Sequence, residues 1–216
     1  MPQTSDGNPA PQPSTPHSGA QLSGAQLSGA QLGERFEHAL DLACRLHSGQ
    51  RRKASGVPYV AHLLGVASLT LEEGAAEDVA IAALLHDAAE DQGGEETLNG
   101  IRHAFGDDVA RWVRQASDTL VKPKPPWEER KRHHLAAIPM ADREAQIIML
   151  ADKVYNARSI LADYRRIGPA IWERFSVPRD RTLWYYQSLL EVFDRRLSPI
   201  LYDELERSVS RMKELA

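Results

Sequence analysis

Four side chains on three separate apolar stretches of this chain are of the kinds that hold cations or carry protons: His62, His86, Asp87 and Asp152. His86 and Asp87 stand in the run Ala82-Ala83-Leu84-Leu85-His86-Asp87-Ala88-Ala89-Glu90-Asp91. Burying such groups is costly unless they are paired, hydrogen-bonded or bound to a cation. A histidine beside an aspartate in an apolar helix therefore points to a metal site. Imidazole and carboxylate together suit Zn²⁺, Mn²⁺ or Fe²⁺, and a set without thiolates leans toward Mn²⁺ or Fe²⁺. Glu90 and Asp91 follow one helical turn after His86 and Asp87. Carboxylates at that place can accept a proton from a water and pass it to a leaving group. The chemistry implied is metal-assisted hydrolysis.

These residues need helices to position them. Phe36, Ala39, Leu40, Ala43 and Leu46 fall at helical spacing and predict a first helix from Glu34 to about Ser48. A polar loop, 50–57, leads to Pro58, which opens a second helix carrying His62 and ending near Gly74. The third helix is predicted as one piece from about Glu77 to Glu90, with His86 and Asp87 about 100° apart around its axis. Helices near 95–105, 107–118 and 127–137 follow, then a long one from about Asp142 to Arg166 carrying Asp152. Two more, near 179–196 and 199–215, end the chain. No alternating run reads as a strand. The expected fold is all-α, a compact multi-helix bundle over 34–216, with three helices supplying the four ligands.

Residues 1–33 are Pro/Ser/Gly-rich, repeat Ser-Gly-Ala-Gln-Leu three times and are expected to be a disordered tail. With 216 residues, 42% of them hydrophobic, the chain has enough material for one sizeable core. The net charge of −4 gives no support for a nucleic-acid or membrane partner. No apolar stretch approaches the ~20 residues of a membrane span, and no signal peptide is recognisable. The single cysteine, Cys44, is expected to be a small buried hydrophobe. These features fit the cytoplasm.

The ordered segments His47-Ser48-Gly49-Gln50 with Arg52-Lys53, Pro58-Tyr59-Val60-Ala61-His62, Leu84 through Asp91, Phe105-Gly106 with Val109-Ala110, and Leu150 through Arg158 make the chain similar to HD-superfamily phosphohydrolases. More narrowly, it resembles the hydrolase domain of the RelA/SpoT alarmone enzymes and the free-standing small alarmone hydrolases. The resemblance implies an all-helical HD domain with one Mn²⁺ on His62, His86, Asp87 and Asp152. It implies that Glu90 and Asp91 orient and activate the attacking water, and that the 3′-pyrophosphate of (p)ppGpp or a related alarmone leaves as pyrophosphate. It further implies that Arg52 and Lys53 meet the base and phosphates, and that Asn156, with Ser159 nearby, contacts the ribose. The implied partner is thus a small-molecule nucleotide. The chain leaves no room for a synthetase domain after the bundle, so hydrolysis alone is expected.

Some positions depart from that pattern. One extra residue, Ala54 or Ser55, lies before Gly56; Leu63 follows His62 where proline is usual; and Lys153 and Tyr155 stand where arginine and histidine are common. The altered loop keeps two other readings open: an HD phosphatase for a nucleoside monophosphate or NADPH, and a catalytically silent nucleotide-binding module. The basic run Arg130-Lys131-Arg132-His133-His134 reads as a solvated helix face or as a rim that attracts phosphate. Trp172, Trp184, Tyr185 and Tyr186 read as core or as a dimer contact in preference to ligand stacking.

Overall fold

The structure is a computed structural model and describes Met1 and residues 30–215. Almost all of the tail expected to be disordered, including the first two pentapeptide repeats, lies outside the described residues. Among the described residues ten α-helices follow one another: α1 (Glu34–Leu46), α2 (Val60–Glu72), α3 (Glu77–Leu85), α4 (Ala88–Gln92), α5 (Glu95–Phe105), α6 (Asp107–Ala116), α7 (Trp127–Ala137), α8 (Arg143–Ile167), α9 (Arg179–Val192) and α10 (Pro199–Glu214). Two 3₁₀ segments, Ile138–Met140 and Gly168–Arg174, flank α8. Among the described residues there is no strand, only an isolated bridge between Arg51 and Pro58.

The core is built around α3. Every residue from Val79 to Leu85 is buried, so this helix is apolar all round rather than on one stripe, as a central helix must be. Helices α1, α2, α6 and α8 pack against it, and α10 covers the other side of α8. The 25-residue α8 is the spine, burying Ile147, Ile148, Leu150, Ala151 and Val154 in its first half. Close approach of α2 to α8 depends on Gly65. A Cβ at that position would lie 1.9 Å from the Tyr155 ring, whose face packs on His62 with centroids 5.1 Å apart. Gly65→Ala is therefore expected to lower stability by about 1–3 kcal/mol, as overpacking of a filled core does. Urea denaturation measures this, and an unchanged midpoint would contradict the packing argument.

Three sequence expectations need correction. The segment 77–90 is two helices, not one: the helical ladder is interrupted at His86–Asp87, where the backbone angles nevertheless stay right-handed helical (φ −58°, ψ −34° and φ −93°, ψ −6°), and α4 follows Asp87 as its N-cap. Apolar spacing carries through such a break and cannot reveal it. The ninth helix stops at Val192 instead of continuing to about 196, because Phe193 turns extended (φ −75°, ψ 130°) and inserts into the core. Cys44 is exposed rather than buried. Helix α1 turns Ala39 and Ala43, four residues apart, to the core, and Cys44 lies about 100° further round the axis. After α4, Gly93 and Gly94 (φ 155° and 65°) redirect the chain into α5, backbone angles that favour glycine.

Candidate metal centre and substrate cavity

His86 and Asp87, adjacent at the junction of α3 and α4, flank one point. His86 Nε2 lies 3.0 Å from Asp87 Oδ2. From α2, His62 Nε2 lies 3.4 Å from Asp87 Oδ2 and 3.3 Å from Asp152 Oδ1. Asp152 Oδ1, from α8, is 3.8 Å from His86 Nε2. Ligand atoms of His62, His86 and Asp87 all fall within 4.8 Å of one another. All four residues predicted as ligands thus meet.

The donor set fits a divalent cation. His86 Nδ1 is 2.8 Å from the Ala83 carbonyl. That contact leaves Nε2 with its lone pair toward the cluster, the usual way a ligating histidine is oriented. Nε2 is buried and has no hydrogen-bond partner, being close to Asp87 but out of line with it. His62 lacks such an anchor, since its Nδ1 is buried without a partner; the Tyr155 and Tyr59 rings hold it instead. Burial opposes charge on His86, Asp87 and Asp152. For Asp87 the neighbouring His86 and His62 outweigh burial and hold its carboxyl well below the usual range. For Asp152, Lys153 outweighs burial first and the two histidines add to it. Burial also works against protonated His86, yet Asp87 lifts it to about 9. A divalent cation bound by these groups would displace any proton on the imidazoles.

A second layer fixes these ligands. The Tyr59 hydroxyl donates to Asp87 Oδ2 at 2.6 Å. Lys153 Nζ donates to Asp152 Oδ2 at 2.6 Å, and Asn156 Nδ2 donates to Asp152 Oδ1. Arg52 in turn donates to Asn156 Oδ1 at 2.7 Å. Arg52 is held over that spot because loop 50–59 folds back on itself, with backbone bonds from Arg52 N to Val57 O and from Tyr59 N to Gln50 O, both 2.9 Å.

The cluster opens into a cavity of about 480 Å³, within the range of small-molecule sites. Glu90 and Asp91 line it but are held differently. Glu90 uses both oxygens: Lys124 Nζ donates to Oε1 at 2.7 Å and the Asp118 backbone N–H to Oε2 at 2.8 Å. Asp91 accepts from Gln50 Nε2 through Oδ2 at 2.7 Å, and its Oδ1 is 3.7 Å from Lys124. Arg52, Lys53, Asn156 and Ser159, the residues expected to meet substrate, all line the cavity. The Ser159 hydroxyl, however, donates to the Tyr155 carbonyl at 2.9 Å within its own helix, which weakens it as a substrate contact.

Other lining residues were not among the sequence-predicted site residues. Lys124, Arg130, Lys131 and Lys153 add positive charge, and Tyr185 and Tyr186 form part of the wall. Lys131 Nζ sits 4.9 Å from the centre of the Tyr185 ring. Burial and the charge of Lys153 push Lys131 below its ordinary value, the state of a crowded cation that an anion would relieve. The basic run on α7 is therefore neither a plain solvated face nor a plain rim. Arg130 and Lys131 turn inward, Arg132 and His133 turn to solvent, and His134 enters the core.

His134 gives a pH-dependent stability. Burial, then the charges of Lys153 and Lys131, push it from 6.5 down to about 3. The unfolded chain takes up this proton below pH 6.5, whereas the folded one resists until about pH 3. Stability from this group is thus complete above about 6.5 and declines as the pH falls, by at most about 1.4 kcal/mol per pH unit. His134→Leu is expected to lose less stability between pH 7 and pH 5 than the native protein. Equal losses in urea titrations would contradict this.

Comparison with known proteins agrees with the geometry. The family model described as HD domain matches residues 39–176. The human protein named guanosine-3′,5′-bis(diphosphate) 3′-pyrophosphohydrolase MESH1 is 38% identical over 142 residues, 64% of this chain and 74% of the relative. Its Xenopus tropicalis counterpart is 37% identical over 157 residues, 71% of this chain and 80% of the relative. Among solved structures, one described as a metazoan ortholog of SpoT that hydrolyses ppGpp superposes with a TM-score of 0.69 at 28% identity, covering 87% of this chain and 99% of that one. The structure of lmo0812 from Listeria monocytogenes EGD-e gives a TM-score of 0.63 at 31% identity, covering 71% and 99%. On these matches the chain belongs to the HD domain family, in the branch of the RelA/SpoT hydrolase domains.

Proposed function

We propose that this protein removes the 3′-pyrophosphate of guanosine 3′,5′-bis(diphosphate) or a close relative, releasing pyrophosphate. The observation that carries the reading is the convergence of His62, His86, Asp87 and Asp152, with Asp87 lining a cavity rich in cationic side chains. The names of the relatives supply the substrate class. His62, His86, Asp87 and Asp152 would hold one divalent ion, and their mix of imidazole and carboxylate favours Mn²⁺. Such an ion supplies a lowered pKa to water and neutralises charge on the phosphorus centre.

The protein's own groups do the rest. Asp91, oriented by Gln50, takes a proton from the attacking water. The water oxygen bonds to the phosphorus attached to the 3′-oxygen, the P–O3′ bond breaks, and the 3′-oxygen acquires a proton. Glu90, tied to the Asp118 backbone and Lys124, holds the 118–124 segment over the reaction. Lys124, Arg130, Lys131 and Lys153 offset the charge of the phosphates. Arg52 and Asn156, already bonded to each other, present a planar cation and an amide to base and ribose. A cytoplasmic enzyme acting on a free nucleotide is consistent with the absence, among the described residues, of any helix long and apolar enough to cross a membrane.

The test is incubation of purified protein with Mn²⁺ and a panel of ppGpp, pppGpp, ppApp, nucleoside monophosphates and NADPH, with products identified. Pyrophosphate from a 3′-pyrophosphorylated nucleotide is expected. Orthophosphate from NADPH or a monophosphate would replace the reading with a phosphatase, and tight ppGpp binding without turnover with a binding module.

A further inference from the structure

The end of the cavity away from the metal cluster contains a carboxylate with no part in the reaction above. Asp163 is 8% exposed and lines the cavity. Among the described residues it and Asp152 are the buried acidic ones. Asp152 is balanced by two histidines and Lys153. The ionic partner of Asp163 is Arg166, 3.3 Å away, with a side chain 67% exposed. Exposed pairs of that kind contribute little, so a buried carboxylate with this one support has acceptor capacity left for a ligand.

Its position says which part of a ligand that would be. Asp152, Asn156, Ser159 and Asp163 fall at i, i+4, i+7 and i+11 on α8, one stripe along the helix. The stripe runs about 16 Å from the metal cluster, and the Asp163 side chain leans back toward the helix N-terminus. A nucleotide whose 3′-phosphate reacts at Asp152 and whose ribose lies at Asn156 brings its base toward Asp163. Ile160, Ile171 and Phe175 line the same cavity and offer apolar surface to a flat ring. A carboxylate only accepts hydrogen bonds. Guanine presents two adjacent donors, N1–H and the N2 amino group, which match its two oxygens. Adenine presents a donor beside an acceptor, and that acceptor would face an oxygen lone pair.

We propose that Asp163 reads the donor edge of a guanine base and sets the base preference of this protein; the proposal rests on the nucleotide function given above. The test compares ppGpp with ppApp in Mn²⁺, following pyrophosphate release and resolving kcat from KM, for native protein, Asp163→Asn, Asp163→Glu and Arg166→Ala. Native protein is expected to favour ppGpp about 10- to 100-fold in kcat/KM, the worth of one good bidentate pair. Asp163→Asn loses most of that preference through a raised KM for ppGpp and still turns over ppApp. Asp163→Glu keeps the charge but moves it by a methylene, and lowers the preference too, which covers a failure of the asparagine variant to fold. Arg166→Ala keeps the preference. An unchanged ratio in the Asp163 variants overturns the proposal and leaves the hydrolase reading intact. If native protein turns over neither nucleotide, the hydrolase reading falls; calorimetric affinities then decide for Asp163, and equal binding of ppGpp and ppApp overturns it.

Discussion

Asp87→Ala is expected to abolish turnover, with kcat reduced by more than about 10³-fold, while the helices stay folded. The size follows from the task assigned to the cluster. Charge neutralisation by a bound divalent ion is worth several kcal/mol, and each 1.36 kcal/mol is tenfold in rate. Asp87 is the ligand that touches the others most closely, at 3.0 Å from His86 and 3.4 Å from His62. Without it, two imidazoles and one carboxylate remain, and Tyr59 loses the acceptor it reaches at 2.6 Å. The fold has little reason to fail, because the Asp87 side chain is 22% exposed and lines a cavity rather than filling the core. His86→Ala should remove activity as completely but at a cost in stability, since His86 is 3% exposed and its loss leaves a void under α3. Circular dichroism melts, metal content after Mn²⁺ loading, and kcat together separate the two causes. Excess Mn²⁺ should restore chelator-treated native protein and fail to restore Asp87→Ala. Full activity of a metal-stripped Asp87→Ala protein would sink the metal reading.

Residue type made the candidate ligand set legible in the sequence, and apolar spacing made the helices legible. His62, His86, Asp87 and Asp152 are polar groups in segments that otherwise bury themselves, and that mismatch is visible in one dimension. Gly106 and the prolines at 123, 125 and 126 mark breaks that the structure also has. The break at His86–Asp87 was not legible, because no glycine or proline announces it and the apolar residues continue through it. The backbone there stays in the right-handed helical region, so the two adjacent side chains still leave the axis about 100° apart and flank one point from either side. The cationic wall was hidden for another reason. Lys124 meets Glu90 across 34 residues of chain, and such a pairing has no local signature. On α7 a single basic run is divided by the helical turn into cavity, solvent and core. Tyr185 and Tyr186, expected as core or dimer contact, are indeed buried, but the wall they form faces the cavity.

Asp91→Asn is expected to lower kcat by about 10²- to 10⁴-fold with little change in KM, the scale of losing a positioned general base. Asparagine keeps the volume and can still accept from Gln50, so geometry survives and only the proton acceptor is removed. Glu90→Gln should cost less in kcat. Both oxygens of Glu90 already accept, from Lys124 and from the Asp118 N–H, so it has little free capacity to take a proton from water. Glutamine can still accept from Asp118 but gives up the ion pair with Lys124. The expected consequence is a looser 118–124 segment and a higher KM for a polyanionic substrate. The pair of variants therefore separates two adjacent carboxylates into a proton acceptor and a positioning group. The readout is the KM-against-kcat split for pyrophosphate release in saturating Mn²⁺. If Glu90→Gln shows the larger loss in kcat and Asp91→Asn the larger rise in KM, the two roles are exchanged and Glu90 is the base.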